Sequence, residues 1–530
     1  LPKPPEVLVD RARELLSQLG YGDPDLRQDS AHGFTPDLAY LRHLIHYPPG
    51  PDRFADLSHT APAAIRFWYR QAPSALVPRT VQPSFEPVSL NNPPPVSRGM
   101  ISMELTPDGK LLRFLAIPSA WDSPASPTST QPATSPAVGS VEAPPHNFEA
   151  LLAATGFPWE QLTPVPPAFA PVTAFDHRAA WTGQFPSTRT PARIEAASLL
   201  GKPTSLVVFG PWEQPGYRGP PIGEWREAIG GLFQLIVFAG SAVLMVIHFM
   251  LRRGDARGAL RVAIFVGLVD LLTWILAYSR LNLPPGVVFT QLLQAVAFAL
   301  LLGGIAWTLY MGLEPYIRRR SPYRLLAWSR LLEGRLTDPL VGRDTLVGMA
   351  LGCGSLGFIT LLLAASAIFY PAPAPDTAGV TELGSTRATI AVVSRTFINA
   401  ITGALMFLIF PLILQLVLRS WYLAIGIFWL FIAAFIGSPG LETTPEILLA
   451  TAIAWAAALY ALYRFGMVAG AAAIFSINLQ GLSAPAADWS AWYATPGLLT
   501  GGVVLLLAFV GFYLAVGGRL LLRVEGLAPA

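Results

Sequence analysis

The chain has 530 residues, 52% of them hydrophobic and 13% charged, with a formal net charge of +3. A soluble protein of this length would carry about a quarter charged residues, so a wholly water-solvated fold is excluded, and so small a net charge gives no reason to expect a nucleic-acid partner. Residues 1–228 hold most of the acids, six of the seven histidines and most of the 50 prolines, whereas 229–530 is mainly long apolar runs. The two parts are expected to fold in different solvents, water and lipid.

In chain order, Pro4–Leu19 has apolar residues at helical spacing and Gly20 as its stop. Ala64–Tyr69 reads as a strand. Gly99–Glu104 and Leu111–Ile117 flank an Asp108-Gly109 hairpin turn. Ser119–Pro145, rich in Ser, Thr, Pro and Ala, reads as a disordered linker. The order then partly repeats: a helix over Phe148–Thr155 before Gly156-Phe157, a second helix over Ala192–Leu200, and a strand over Ser205–Phe209. The expectation is two small α+β lobes, residues 1–118 and 147–225, around a linker at 119–146. The aromatic residues Phe67, Trp68, Tyr69, Trp121, Trp159, Trp181 and Trp212 are expected to serve mostly as core.

Nine apolar stretches follow: Ile229–Leu251, Ala259–Ser279, Val287–Leu313, Thr345–Tyr370, Phe397–Leu418, Trp421–Gly437, Ile447–Tyr463, Phe465–Leu482 and Gly497–Gly517. Stretches of about 17–25 residues can cross the hydrocarbon as helices. The fold class expected is therefore an α-helical polytopic membrane protein of about nine transmembrane helices over 229–530, with an N-terminal α+β extracytoplasmic region. The two spans around Arg464 are short, and eight is the alternative count.

Arginine placement sets the expected orientation. One set of ends carries Arg252, Arg253, Arg257, Arg261, Arg318, Arg319, Arg320, Arg324, Arg330, Arg335, Arg343, Arg419, Arg464, Arg519 and Arg523. The other carries Arg280, Arg387 and Arg395. The rich side is expected in the cytoplasm, which leaves residues 1–225 outside. Leu1–Arg13 has no signal-peptide core, so an export element upstream of Leu1 is expected.

Two polar constellations stand out as candidate sites. Asp270, Gln291, Gln294, Arg395, Asn399 and Asn478 fall in the outer halves of the spans, where ionisable groups are costly and have partners or roles. They read either as interhelical hydrogen-bonding residues or as a small polar pocket or relay. Ser321–Arg343 places Leu325, Trp328, Leu332 and Leu336 on one helical face, with Arg324, Arg330, Arg335 and Arg343 around it. This is the pattern of an interfacial helix, serving as a lipid-anchored connector or as a docking element for a cytoplasmic partner. Gly348/Gly352 and Gly466/Gly470 have the spacing of close helix crossings, and Pro411 is expected to kink its span.

There is no HExxH pair, no Walker A sequence and no GxSxG elbow, and the kinase glycine-rich loop, HRD and DFG elements are missing. His43 and His46 lack an adjacent acid. The single cysteine, Cys353, lies in an apolar run. No cofactor is expected.

Several segments nevertheless carry a resemblance. They include Lys3-Pro4-Pro5-Glu6-Val7-Leu8, Ile65-Arg66-Phe67-Trp68-Tyr69-Arg70-Gln71, Asp176-His177-Arg178-Ala179-Ala180-Trp181 and Leu313-Glu314-Pro315-Tyr316-Ile317-Arg318-Arg319-Arg320. Leu19-Gly20-Tyr21, Leu111-Leu112-Arg113-Phe114 with Ile117-Pro118, Trp328-Ser329-Arg330-Leu331-Leu332, Asp338-Pro339-Leu340-Val341-Gly342-Arg343-Asp344 and Trp489-Ser490-Ala491-Trp492-Tyr493-Ala494 complete the set. Together they resemble the long C-terminal region of membrane-bound bacterial serine/threonine protein kinases of the acidobacterial type. The resemblance implies a cytoplasmic kinase domain and one transmembrane helix upstream. It implies a sensor and transducer role in the bacterial inner membrane, with a kinase domain and an extracytoplasmic ligand as partners. It transfers no catalytic residue, because the kinase domain is absent from this chain. A transporter or channel-like subunit is the alternative.

Overall fold

The computed structural model describes residues 1–46, 61–79, 88–118, 148–213, 224–277, 284–366, 379–383, 385–436, 445–481 and 488–517, with isolated positions Phe54, Leu57, Pro375 and Thr377. The expected linker 119–146, Trp121, Arg280, Arg519 and Arg523 lie outside the described residues.

The N-terminal region begins with α1 (Pro5–Gln18), which presents Leu8, Ala12, Leu15 and Leu16 on one buried stripe. Gly20, at φ +83°, turns the chain where a side chain would be strained. Strand β1 (Asp29–Pro36), helix α2 (Leu38–His46) and strands β2 (Ile65–Ala72), β3 (Ile101–Leu105) and β4 (Leu111–Ala116) follow. The β3–β4 hairpin closes through Gly109, at φ +94°. The second half repeats the plan with α3 (Glu149–Thr155), then β5 (Thr163–Val165), β6 (His177–Gln184), β7 (Pro191–Leu199) and β8 (Lys202–Phe209).

Both helix-plus-strands units are present, and they are joined edge to edge. The strands form one antiparallel sheet of order β1-β2-β3-β4-β8-β7-β6-β5. The seam is β4 against β8, with Phe114 opposite Leu206. Tyr21 of the first half donates its hydroxyl to Pro203 O of the second at 2.6 Å. A common core of Leu8, Leu15, Phe67, Tyr69, Phe114, Leu151, Ile194 and Leu206 lies under α1 and α3. A meander has an unpaired edge that needs covering, and pairing the two edges satisfies both.

The stretch Ala192–Leu200, expected as a helix, is strand β7. Ala192, Ile194 and Ala196 are buried in the core, and the intervening Arg193 and Glu195 turn to the opposite face, where they pair with each other. The period is two, and pairing with both β6 and β8 overrides the helix preference of alanine. Phe67, Trp68, Tyr69, Trp181 and Trp212 are buried, while Trp159 is 55% exposed.

Among its described residues the C-terminal half is helical, with no strand. It comprises α4 (Glu224–Met250), α5 (Ala256–Ala277), α6 (Pro285–Arg320), α7 (Tyr323–Leu332), α8 (Pro339–Ser366), α9 (Thr386–Leu418), α10 (Trp421–Phe431), α11 (Pro445–Arg464), α12 (Met467–Gly481) and α13 (Thr495–Ala515). Among the described residues, seven helices are long and apolar enough to cross a membrane: α4, α5, α6, α8, α9, α11 and α13. The chain is a multi-pass membrane protein with a β-sheet domain. Seven such helices among the described residues leave the expected count of about nine unconfirmed. α10, continued by a π-helical turn over Ile432–Ile436, and α12, at 15 residues, are shorter. At 1.5 Å per residue α12 spans about 22 Å, less than the roughly 30 Å of hydrocarbon. It is packed among its neighbours, with Met467, Ala469, Ala473, Ile474 and Leu479 at most 1% exposed.

Glycines set the closest crossings. Gly348 and Gly352 of α8 face Ala469, Ala473 and Ser476 of α12 with no room for a Cβ, and Gly303 of α6 lies against Ala263 O of α5. In lipid, such close backbone approach replaces the missing hydrophobic drive between helices. α9 runs unbroken through Pro411.

Candidate functional site

The sheet domain sits on one end of the bundle. Two short connectors make the junction. The single-turn helix Val380–Glu382, ahead of α9, inserts Val380 into the sheet-domain core, with Leu383 packed beside it. The turn Trp492–Ala494, ahead of α13, places the Trp492 ring on Phe34 of β1, centroids 5.5 Å apart and 27° from parallel. Trp492 Nε1 also donates to Leu1 O at 3.3 Å. A cleft of about 160 Å³ remains between Pro5 and Glu6 of α1 and the first turns of α9 and α13.

Just inside the domain lies a charge cluster that sequence reasoning missed. Arg66 of β2 binds Asp37, which precedes α2, and reaches Glu104 of β3 at 3.1 Å and Glu213 at 3.0 Å. Arg113 of β4 binds Glu213 at 2.5 Å. The three carboxylate side chains are at most 9% exposed. Burial pushes the Asp37 carboxyl above its ordinary range, against the pull of Arg66. Arg66 is itself held well above the ordinary arginine value: burial opposes its charge, but Asp37, Glu104 and Glu213 outweigh that. The cluster gathers α2, three strands and the last described residue before the segment leading to α4. Its one local signal was alternation in Arg66-Phe67-Trp68-Tyr69-Arg70, where a strand buried on both faces carries arginine on one of them. The carboxylates come from 29 to 147 residues away, beyond any local pattern.

At the opposite end of the bundle, α7 closes the interior. Leu325 and Trp328, expected on an interfacial face, are 4% and 5% exposed and packed into the helix core. The helix is shorter than expected: it ends at Leu332, Gly334 turns at φ +83°, and Leu336 is left 63% exposed. Arg324 lies against the rings of Tyr323, Trp421 and Tyr463, with its Cζ 5.6, 5.8 and 5.1 Å from their centroids. Its Nε donates to Tyr463 O at 3.1 Å. It thus ties α7 to α10 and α11. Arg330 grips both Asp338 oxygens at 2.9 Å; the Leu340 N–H and Arg330 together hold that carboxyl below its usual range. Arg335 is paired with Glu333 at 3.3 Å, and Arg343 with Asp344 at 2.8 Å.

The six candidate polar residues of the spans have unequal surroundings. Asp270 is fully buried and Gln291 is 7% exposed. Arg395 and Asn478 are half-buried, and Gln294 and Asn399 are exposed. Phe265 of α5 meets Phe397 of α9, which in turn meets Phe475 of α12. Thus α9, carrying Arg395, runs between the helices that carry Asp270 and Asn478. Among the described residues, no group of three or more His, Cys, Asp or Glu could hold a metal ion. No family model matches the chain, and no curated protein or solved structure matches it either.

Proposed function

We propose that this chain is the sensing and transducing part of a receptor-like assembly in a bacterial inner membrane. In this reading the sheet domain lies outside the cytoplasm and receives an unidentified ligand or envelope component. The bundle passes the change to α7 on the cytoplasmic side, where a serine/threonine kinase domain responds. The observation that carries the reading is the junction: Val380 and Trp492, in the short connectors that lead into α9 and α13, pack into the sheet domain. A ligand that favours one packing of that domain over another therefore acts on α9 and α13 directly. The arginine-rich ends of the helices lie at the far side of the bundle, around α7, as the positive-inside rule requires if the domain is external.

Sidedness is tested by single cysteines in a Cys353→Ser background and an impermeant maleimide applied to intact cells. Asp10→Cys labels at once and Glu333→Cys only after permeabilisation; the reverse pattern overturns the reading. The alternative, a transporter or channel-like subunit, draws on the buried Asp270 between helices. Solute counterflow or conductance in liposomes holding the pure chain would favour it over the receptor.

A further inference from the structure

The turn between α4 and α5 and the last turn of α6 form a basic corner. Gly254, at φ +129°, seats the turn on α6: a Cβ there would lie 3.1 Å from Met311 Cε and 3.6 Å from Pro315 Cγ. Arg252 and Arg253 precede it, and Arg257 opens α5. Arg319 stands four residues after Pro315, on the same face of α6. Arg318 completes five guanidiniums.

Among the described residues, two carboxylates share the corner, and both are engaged. Asp255 Oδ1 accepts from the Gly258 N–H at 2.9 Å, capping α5. Glu314, buried, accepts from the Asp255 N–H at 3.2 Å and binds Arg318 Nε at 2.5 Å. Arg252, Arg253, Arg257 and Arg319 are exposed, and none of them has an ion-pair partner among the described residues.

Apolar surface begins immediately beside these charges. Phe249 is 65% exposed and Met250 78% on α4, with Leu260 54% and Ile264 52% on α5. Charge alone would suit any acidic partner. Unmatched guanidiniums joined to exposed apolar helix faces suit a ligand with an anionic head and hydrocarbon tails. Guanidinium also offers paired donors that match phosphate oxygens.

We propose that this corner is a binding site for an anionic phospholipid. Arg252, Arg253, Arg257 and Arg319 hold the headgroup phosphate, and the acyl chains lie along α4 and α5. The site does not depend on the receptor reading.

The test places the full chain in nanodiscs of mixed phosphatidylcholine and phosphatidylglycerol and measures, by native mass spectrometry, the phosphatidylglycerol retained. One variant carries Arg252→Gln, Arg253→Gln, Arg257→Gln and Arg319→Gln. A control with the same charge change carries Arg335→Gln, Arg343→Gln, Arg419→Gln and Arg464→Gln. The wild type and the control are expected to be enriched in phosphatidylglycerol, and the first variant to lose about fivefold per arginine removed. Equal loss in both variants, or no enrichment in the wild type, overturns the site. So does displacement of the lipid by inorganic phosphate alone, which would make the site one for the free ion. Should the fourfold variant fail to fold in pure phosphatidylcholine, Arg252→Gln/Arg253→Gln and Arg257→Gln/Arg319→Gln are read in the same way.

Discussion

The sheet domain and the helical bundle solve the same problem, holding distant segments together, with different chemistry. The sheet domain buries charge and matches it: Arg66 alone ties three carboxylates from three parts of the chain. The bundle joins its helices by removing side chains, as where Gly348 and Gly352 let α8 meet α12. The difference follows from the solvent. In water, apolar burial already favours a compact fold, and charges can specify which strand ends meet. In lipid that drive between helices is missing, and close van der Waals approach takes its place. The two styles meet at a junction built of neither: an aromatic stack, a buried valine and one hydrogen bond to Leu1 O.

The comparison can be broken from either side. The largest expected effect is Arg66→Met, which leaves Asp37, Glu104 and Glu213 buried with only Arg113 among them. The loss is expected to be about 3–5 kcal/mol, read as unfolding of the sheet domain in the full chain. If Arg66→Met were nearly neutral, the cluster would not be what clamps the strand ends. Next comes Gly352→Leu, whose side chain must enter the backbone and Ser476 of α12. Overpacking of this kind costs about 1–3 kcal/mol and should lower the melting temperature in micelles while leaving the sheet-domain transition in place. Arg324→Gln removes the cation from its three rings and is expected to cost about 1–2 kcal/mol. Amide exchange should rise along α7; unchanged exchange there would show that Leu325 and Trp328 suffice.

The smallest effect is in pH. Burial raises the Asp37 pKa in the folded protein, so the folded form takes up this proton at a higher pH than the unfolded chain, whose carboxyl titrates at about 4. Wild-type stability relative to Asp37→Asn should therefore rise as the pH falls through the raised folded-state value toward about 4. A gap that stays flat over that range would mean that Arg66 fully offsets the burial.

Much of this architecture was legible in the sequence, and what was missed has a physical cause. The helices of the second half announce themselves because lipid demands unbroken apolar length, and the glycine pairs Gly348/Gly352 and Gly466/Gly470 mark close approaches that exist. Gly20 and Gly109 were found because only their backbone conformations end that helix and close that hairpin. By contrast β7 looked helical, since its alanines say nothing of the two strands flanking it. The joining of the two halves was hidden because β4 and β8 pair across about 90 residues. The charge cluster was invisible for the same reason: each acid is ordinary alone. For the short α12, apolar composition alone does not tell a lipid-facing span from a helix packed in the protein interior.

The central claim is that the sheet domain and α7 communicate through the junction. Hydrogen exchange across the full chain in nanodiscs, comparing wild type with Trp492→Ala, tests it most directly. Faster exchange over Tyr323–Leu332 in the variant, at the far end of the bundle from the substitution, is the predicted result. A change confined to β1, α1 and the start of α13 would contradict it.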